Sequence, residues 1–325
     1  MPFSRSMTAL SAGDRPSTVL YLAGAGRSGG TIVSSILGNQ PGFFYAGELR
    51  DLWTSGLRHE KMCGCGKRVV DCDVWQAIFQ RAYGGLDAID TAEMTRLRDA
   101  HSRTHRLGAA LLMRASGRTT ASQRLYVDRL RALHNAIRDV TGCRVIVDAS
   151  RLASYGLFVS AIPDIAMCVV QLIRDPRAVA FSWTRKRRAR TATREVDLRQ
   201  QSVARSAIDW NAQNLSGELL WHRVARASMF MRYEDIVWDP AAGLGRILAL
   251  TGEPELRIKF AGPNTYDLAP NHSVAGNAYR TQTGPVTLTL DDEWRAALPV
   301  SARRLVALLC WPGMLRYGYG PGPAA

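Results

Sequence analysis

The chain has 325 residues, 42 Lys and Arg against 28 Asp and Glu, a formal net charge of +14, 46% hydrophobic and 22% charged residues. That apolar share, with 28 Gly and 14 Pro, excludes wholesale disorder and a collagen-like repeat, and no apolar run reaches the roughly 18 to 20 residues of a spanning helix. The excess of base predicts an anionic partner: nucleic acid, an acidic membrane surface or a phosphorylated small molecule.

Residues 1 to about 17 show neither periodicity nor the apolar core of a signal peptide, so they read as a flexible lead-in and the expected compartment is the cytoplasm. Folding is expected from residue 18 to 325 as one domain. Thr18 to Ala23 is a short apolar run ending at Gly24, the pattern of a buried strand in a parallel sheet. A Gly-rich turn follows, then a helix over Thr31 to Leu37 closed by Gly38, then a second extended run at Phe43, Phe44 and Tyr45. From about 49 to 141 the chain is polar, Arg-rich and helical in pattern, a helical insertion over about 55 to 140. Apolar strands return at Arg144–Val147, Met167–Ile173 and Ser228–Met231, a helix is expected over 241 to 252, and 261 to 287 reads as a long loop. The pattern predicts an α/β fold: an open parallel sheet flanked by helices, with ligands at the carboxyl ends of the strands.

The turn Gly24-Ala-Gly26-Arg27-Ser28-Gly29-Gly30-Thr31 satisfies two templates at once. It fits G-x-G-x-x-G, with Glu48 placed 19 residues beyond Gly29 as a ribose-binding acid would be, which points to an NAD(P)-dependent oxidoreductase. It also fits G-x-x-x-x-G-K-[ST] apart from the lysine, which is Gly30, so nucleoside triphosphate hydrolysis is not expected. Both templates share their physics: small residues let backbone N–H groups converge at a helix N-terminus, where an anion is favoured. Arg27 inside the turn is suited to grip a phosphate and to stabilise charge on a bridging oxygen. A second basic signal follows the strand ending at Ile173: Arg174, then Pro176 as a first helical position, then Ser182 nearly two turns on. Arg174 and Ser182 suit a second phosphate, although an arginine at a strand end also commonly pairs with an acid.

Together these motifs resemble the sulfotransferases that use 3'-phosphoadenosine 5'-phosphosulfate as donor. In that family a [K/R]-S-G-x-T loop after the first strand binds the 5'-phosphosulfate, here Arg27, Ser28, Gly29, Gly30 and Thr31. A strand-borne Arg and a Ser eight residues later bind the 3'-phosphate, here Arg174 and Ser182, and the stretch Val170–Val179 looks like the carbohydrate and tyrosylprotein members. Tyr233, in Met231-Arg-Tyr-Glu-Asp-Ile236, matches a residue near the adenine. Asn271 to Arg280 is similar to the loop that closes over the donor, which carries Asn277 and Arg280 into the expected donor site. The resemblance spans about residues 18 to 320 and implies a P-loop-like α/β fold and a bacterial enzyme that moves a sulfuryl group to a hydroxyl without a metal, releasing 3'-phosphoadenosine 5'-phosphate. Gly30 departs from a frequent Thr of the loop and removes one hydroxyl donor.

Glu48, after the second strand, is the expected general base and Arg27 the leaving-group cation; a salt bridge from Glu48 to Arg50 or Arg27 is the competing reading. Asp148-Ala-Ser150-Arg151 follows the next strand, with Arg151 either on the sulfuryl group or on the surface. The basic run at 185 to 206 would border the site and help shape an acceptor pocket for a small-molecule, glycan or lipid hydroxyl, with an anionic membrane as a peripheral contact and no nucleic acid expected. A basic module for nucleic acid or membrane surfaces is the non-enzymatic alternative. Cys63, Cys65 and Cys72 with His59 match a zinc site poorly because C-x-C is a tight spacing, so a disulfide from Cys72 to Cys63 or Cys65 and free thiols stay open, and no metal ligand is assigned.

Overall fold

A computed structural model describes residues 17–59, 61–186, 188–190, 195–197 and 200–320; the lead-in at 1–16 lies outside them. In chain order the elements are β1 (Ser17–Ala23), α1 (Gly30–Gly38) and β2 (Phe43–Gly47), followed by the insertion with α2 (Asp73–Tyr83), α3 (Thr91–His101), α4 (Leu107–Ser116) and α5 (Ala121–Thr141). Then come β3 (Val145–Arg151), α6 (Ala153–Val159), β4 (Ile165–Ile173), α7 (Pro176–Thr184), a small hairpin of β5 (Arg188–Arg190) and β6 (Glu195–Asp197), and α8 (Val203–Val224). The chain closes with β7 (Ala227–Arg232), α9 (Tyr233–Trp238), α10 (Pro240–Leu250), β8 (Thr265–Leu268), β9 (Gly284–Thr287), α11 (Trp294–Ala297) and α12 (Val300–Arg316).

The main sheet has the order β2-β3-β1-β4-β7 and every pairing in it is parallel. All seven residues of β1 are buried, because helices cover both faces. Alternation divides the core: Val19 and Tyr21 face the cluster built with the insertion, whereas Leu20 and Leu22 face α1, α9 and α10. The insertion therefore shares its core with the sheet, through Trp53, Trp75, Phe79, Tyr126 and Leu130. Its helices are locally specified: Asp90 caps α3 through the N–H groups of Ala92 and Glu93 at 2.9 and 2.8 Å, and Thr120 with Gln123 forms a capping box on α5, which ends at left-handed Gly142.

The strand order has a functional consequence. A dinucleotide-binding sheet sets the strand after the first helix beside the first strand, so that the acid at its end reaches the ribose. Here β3 lies between β1 and β2, which removes Glu48 from that position and overturns the oxidoreductase reading. Two smaller corrections concern length and irregularity. β3 runs on through Asp148, Ser150 and Arg151, and the segment 261 to 287 holds the antiparallel pair β8 and β9 and a 3-10 turn at Ala278–Thr281. No helix among the described residues is long and apolar enough to cross a membrane.

Candidate active site

A cavity of about 680 Å³ opens at the carboxyl ends of the strands. Its floor is the turn between β1 and α1, whose tightness has a steric cause. Gly24 has φ +119°, and a Cβ there would lie 2.2 Å from the carbonyl oxygen of Leu172 on β4. Gly29, φ +87°, precedes α1, and a Cβ on it would lie 2.2 Å from the ring of Tyr233. Arg27 itself has φ +73°, a conformation that a non-glycine residue holds only when its surroundings impose it. Its guanidinium lies 4.7 Å from the ring centroid of Trp183 on α7.

Of the residues expected to hold a donor, Arg27, Ser28, Gly29, Gly30, Thr31, Arg174, Ser182, Tyr233 and Asn277 all line this one cavity. Ser28 Oγ is buried with no hydrogen-bond partner among the described residues, and a Cβ at Gly30 would meet nothing within 4 Å. The turn thus keeps an unused polar atom and open space at a helix N-terminus, which fits an oxyanion. Arg174 is 8% exposed, lies 5.3 Å from the Tyr233 ring centroid and donates to the carbonyls of Arg27 at 3.2 Å and Asp291 at 3.3 Å. Its carboxylate partner, Asp291, is distant at 3.8 Å. The backbone around it is fixed: Trp210 Nε1 donates to the Arg174 carbonyl at 2.9 Å, and the Asp175 N–H donates to Glu234 at 3.0 Å.

Glu48 also lines the cavity, and its partner is neither Arg50 nor Arg27. Arg151 Nη2 reaches the Glu48 carboxylate at 3.0 Å, whereas Arg50 pairs with Asp51 at 2.7 Å. Arg151 ends β3 with φ +67°, and its Nη1 would be 2.7 Å from a Cβ at Gly26, so one guanidinium touches both the carboxylate and the turn. Upstream, Ser150 donates its N–H to Asp148 at 2.9 Å and also its hydroxyl, and burial pushes the Asp148 carboxyl up to about 7.

Arg280 departs from expectation. It is 4% exposed and does not line the cavity; its guanidinium donates to the carbonyls of Ser273, at 2.7 Å, and Met62. The loop meets the site instead through Gly276, Asn277 and Tyr279, and Asn277 Oδ1 accepts from the Tyr279 N–H at 3.3 Å. Asp51, Ser55 and Lys61, from the start of the insertion, line the cavity as well, as does Trp183. Nothing in their sequence context marked them, apart from the position of Trp183 next to Ser182. In the basic run, Arg185 pairs with Asp291 and Glu293 at 3.5 and 3.0 Å, while Arg187 and residues 191–194 lie outside the described residues.

A family model described as the Sulfotransferase family matches residues 20–256. The chain is 26% identical over 366 aligned positions to carbohydrate sulfotransferase 7 of Mus musculus, covering 92% of this chain and 74% of that protein. Among solved structures, the sulfotransferase domain from the curacin biosynthetic pathway has a TM-score of 0.45 at 14% identity, covering 91% of this chain and 98% of that one. The sulfotransferase domain of the Synechococcus PCC 7002 olefin synthase has a TM-score of 0.45 at 18% identity, covering 93% and 96%.

Proposed function

The chain belongs to the sulfotransferase family, and from that premise we propose that it moves a sulfuryl group from 3'-phosphoadenosine 5'-phosphosulfate to a hydroxyl acceptor. The observation that carries this reading is the convergence of two separated anion-binding elements, the Gly24–Thr31 turn and the Arg174/Ser182 pair, on one cavity. A donor with phosphates at its 5' and 3' positions needs two such elements; a single phosphate needs one. Ser28, the turn backbone and Arg27 would hold the phosphosulfate end, Arg174 and Ser182 the 3'-phosphate, and Tyr233 and Asn277 the nucleoside. Bound there, the donor supplies the sulfuryl group and leaves as the 3',5'-bisphosphate.

The chain's own residues then have distinct tasks. Glu48 takes the proton of the attacking hydroxyl. Arg151 Nη2 holds that carboxylate at 3.0 Å, so the attacking hydroxyl has to compete with the guanidinium for it. An anion on the turn competes for the same guanidinium, which already touches Gly26, and so frees Glu48 as the donor site fills. Arg27 balances charge that grows on the leaving oxygen. Asp51, Ser55 and Lys61 give the Glu48 side of the cavity a polar lining, which suits a polyhydroxyl acceptor. The mouse relative's name directs the first acceptor screen to carbohydrates. The test is transfer of labelled sulfate from the donor to a panel of glycan, small-molecule and lipid hydroxyls. Glu48→Gln should keep the affinity for the bisphosphate and lower kcat about a hundredfold or more. Intact turnover with weakened donor binding would assign Glu48 to binding and refute its role as base.

A further inference from the structure

We infer that Cys63, Cys65, Cys72 and His272 form a structural zinc site that fastens the insertion to the loop over the cavity. Their four ligand atoms all lie within 4.8 Å of one another, the one group of this kind among the described residues. Cys72 Sγ is 3.7 Å from Cys63 Sγ and 3.8 Å from Cys65 Sγ, and His272 Nδ1 is 3.3 Å from Cys72 Sγ and 3.9 Å from Cys63 Sγ. A tetrahedral zinc with Zn–S near 2.3 Å and Zn–N near 2.0 to 2.1 Å sets sulfurs about 3.8 Å apart and sulfur and nitrogen about 3.6 Å apart. A disulfide would bring two sulfurs to about 2.05 Å. The separations are those of ligands around a common ion, and a set of three thiolates and one imidazole selects zinc.

The backbone explains how so tight a C-x-C spacing works. Gly66, φ +86°, folds the chain back so that its N–H donates to the Cys63 carbonyl at 3.0 Å, while the Cys63 N–H donates to Lys67 at 2.7 Å. Gly64 lets this turn touch the second segment: its N–H donates to Ser273 at 3.0 Å, and a Cβ on it would lie 2.0 Å from Asn271 Oδ1. Trp75 Nε1 donates to the His272 carbonyl at 2.7 Å. His59, the histidine nearest in sequence, is exposed, and the fourth ligand comes from 200 residues beyond Cys72.

Arg280 supplies an independent observation. Its buried guanidinium bonds the carbonyls of Met62 and Ser273, the neighbours of two ligands, and no carboxylate among the described residues pairs with it. A buried cation needs an opposing charge nearby. Three thiolates around Zn²⁺ carry one net negative charge and provide it; their protons leave to solvent on binding. The site would hold the loop whose Val274 exchanges backbone bonds with Ala46 and Glu48 at 2.9 and 2.8 Å, and so would set the wall of the cavity at Gly276 and Asn277.

The test is elemental analysis and intact mass of the full chain, produced in zinc-replete medium and purified without a metal column or chelator. About one zinc per chain is expected, with no disulfide among the three cysteines. His272→Ala should lose most of the metal, and His272→Cys should retain it. A zinc content well below stoichiometric in folded protein, or a disulfide, overturns the site. Because Cys72→Ser could fail to fold, cobalt reconstitution of the wild-type chain is the second measurement. Intense visible ligand-field and thiolate-to-cobalt bands support the site, and pale octahedral spectra overturn it.

Discussion

Glu48 and Arg151 show what single residues can and cannot reveal before the chain is folded. The position of Glu48 at the end of an apolar run marked it for the strand-end crevice, but its partner lies 103 residues away and was visible only once β3 was placed between β1 and β2. Arg27, Ser28, Arg174 and Ser182 were legible because each lies in a short motif whose spacing carries its own physics. Arg280 was not, since a basic loop pattern does not separate a guanidinium aimed at a ligand from one that ties the loop down. Asp148 adds a testable consequence. Burial raises its carboxyl to about 7 in the folded chain, despite the Ser150 hydrogen bonds that favour ionisation. Between the ordinary carboxylate value and about 7, the folded state holds a proton that the unfolded state has lost. The stabilisation is complete below about pH 4 and is lost as pH rises through about 7. Asp148→Asn should flatten that decline in denaturant unfolding measured across this range; parallel wild-type and variant curves would reject it.

At the level of elements, sequence pattern and structure agree best where local rules decide. Pro176 opens α7 with Asp175 capping it through the Arg177 N–H at 2.8 Å, and α3 and α5 begin at their capping residues. The segment 261 to 287 was less legible because β8 and β9 have four residues each, too few for an alternation to emerge, and exist by pairing with each other. The β1–α1 turn is the element on which the proposed donor site rests, and adjacent glycines in it play opposite parts. Gly29→Ala forces a side chain into left-handed backbone and into the Tyr233 ring, and should cost about 1 to 3 kcal/mol of stability and weaken bisphosphate binding. Gly30→Ala meets open space at the first position of α1 and should leave stability unchanged or slightly raised. Equal losses from the two substitutions in thermal unfolding would contradict this division.

For the whole molecule, the charge of +14 resolves into parts. Part of the base between 96 and 138 meets acids: Arg98 with Asp51 and Asp99, Arg103 with Asp99, Arg129 with Glu93 and Arg131 with Asp164. Such pairs add little stability where exposed. Arg27, Arg151 and Arg174 instead gather at a single cavity, at or just beyond the ends of strands that the order β2-β3-β1-β4-β7 brings side by side. Sheet order, which no local pattern encodes, is what turns three scattered arginines into one site. The most direct test of that site is a thermal shift with 3'-phosphoadenosine 5'-phosphate against 5'-AMP, NAD and ATP, on the wild-type chain and Arg174→Ala. The expected result is selective stabilisation by the bisphosphate, about 2.7 kcal/mol at a hundredfold excess over Kd, and loss of its advantage over 5'-AMP in Arg174→Ala. Selective stabilisation by NAD, or a bisphosphate preference that survives Arg174→Ala, would contradict it.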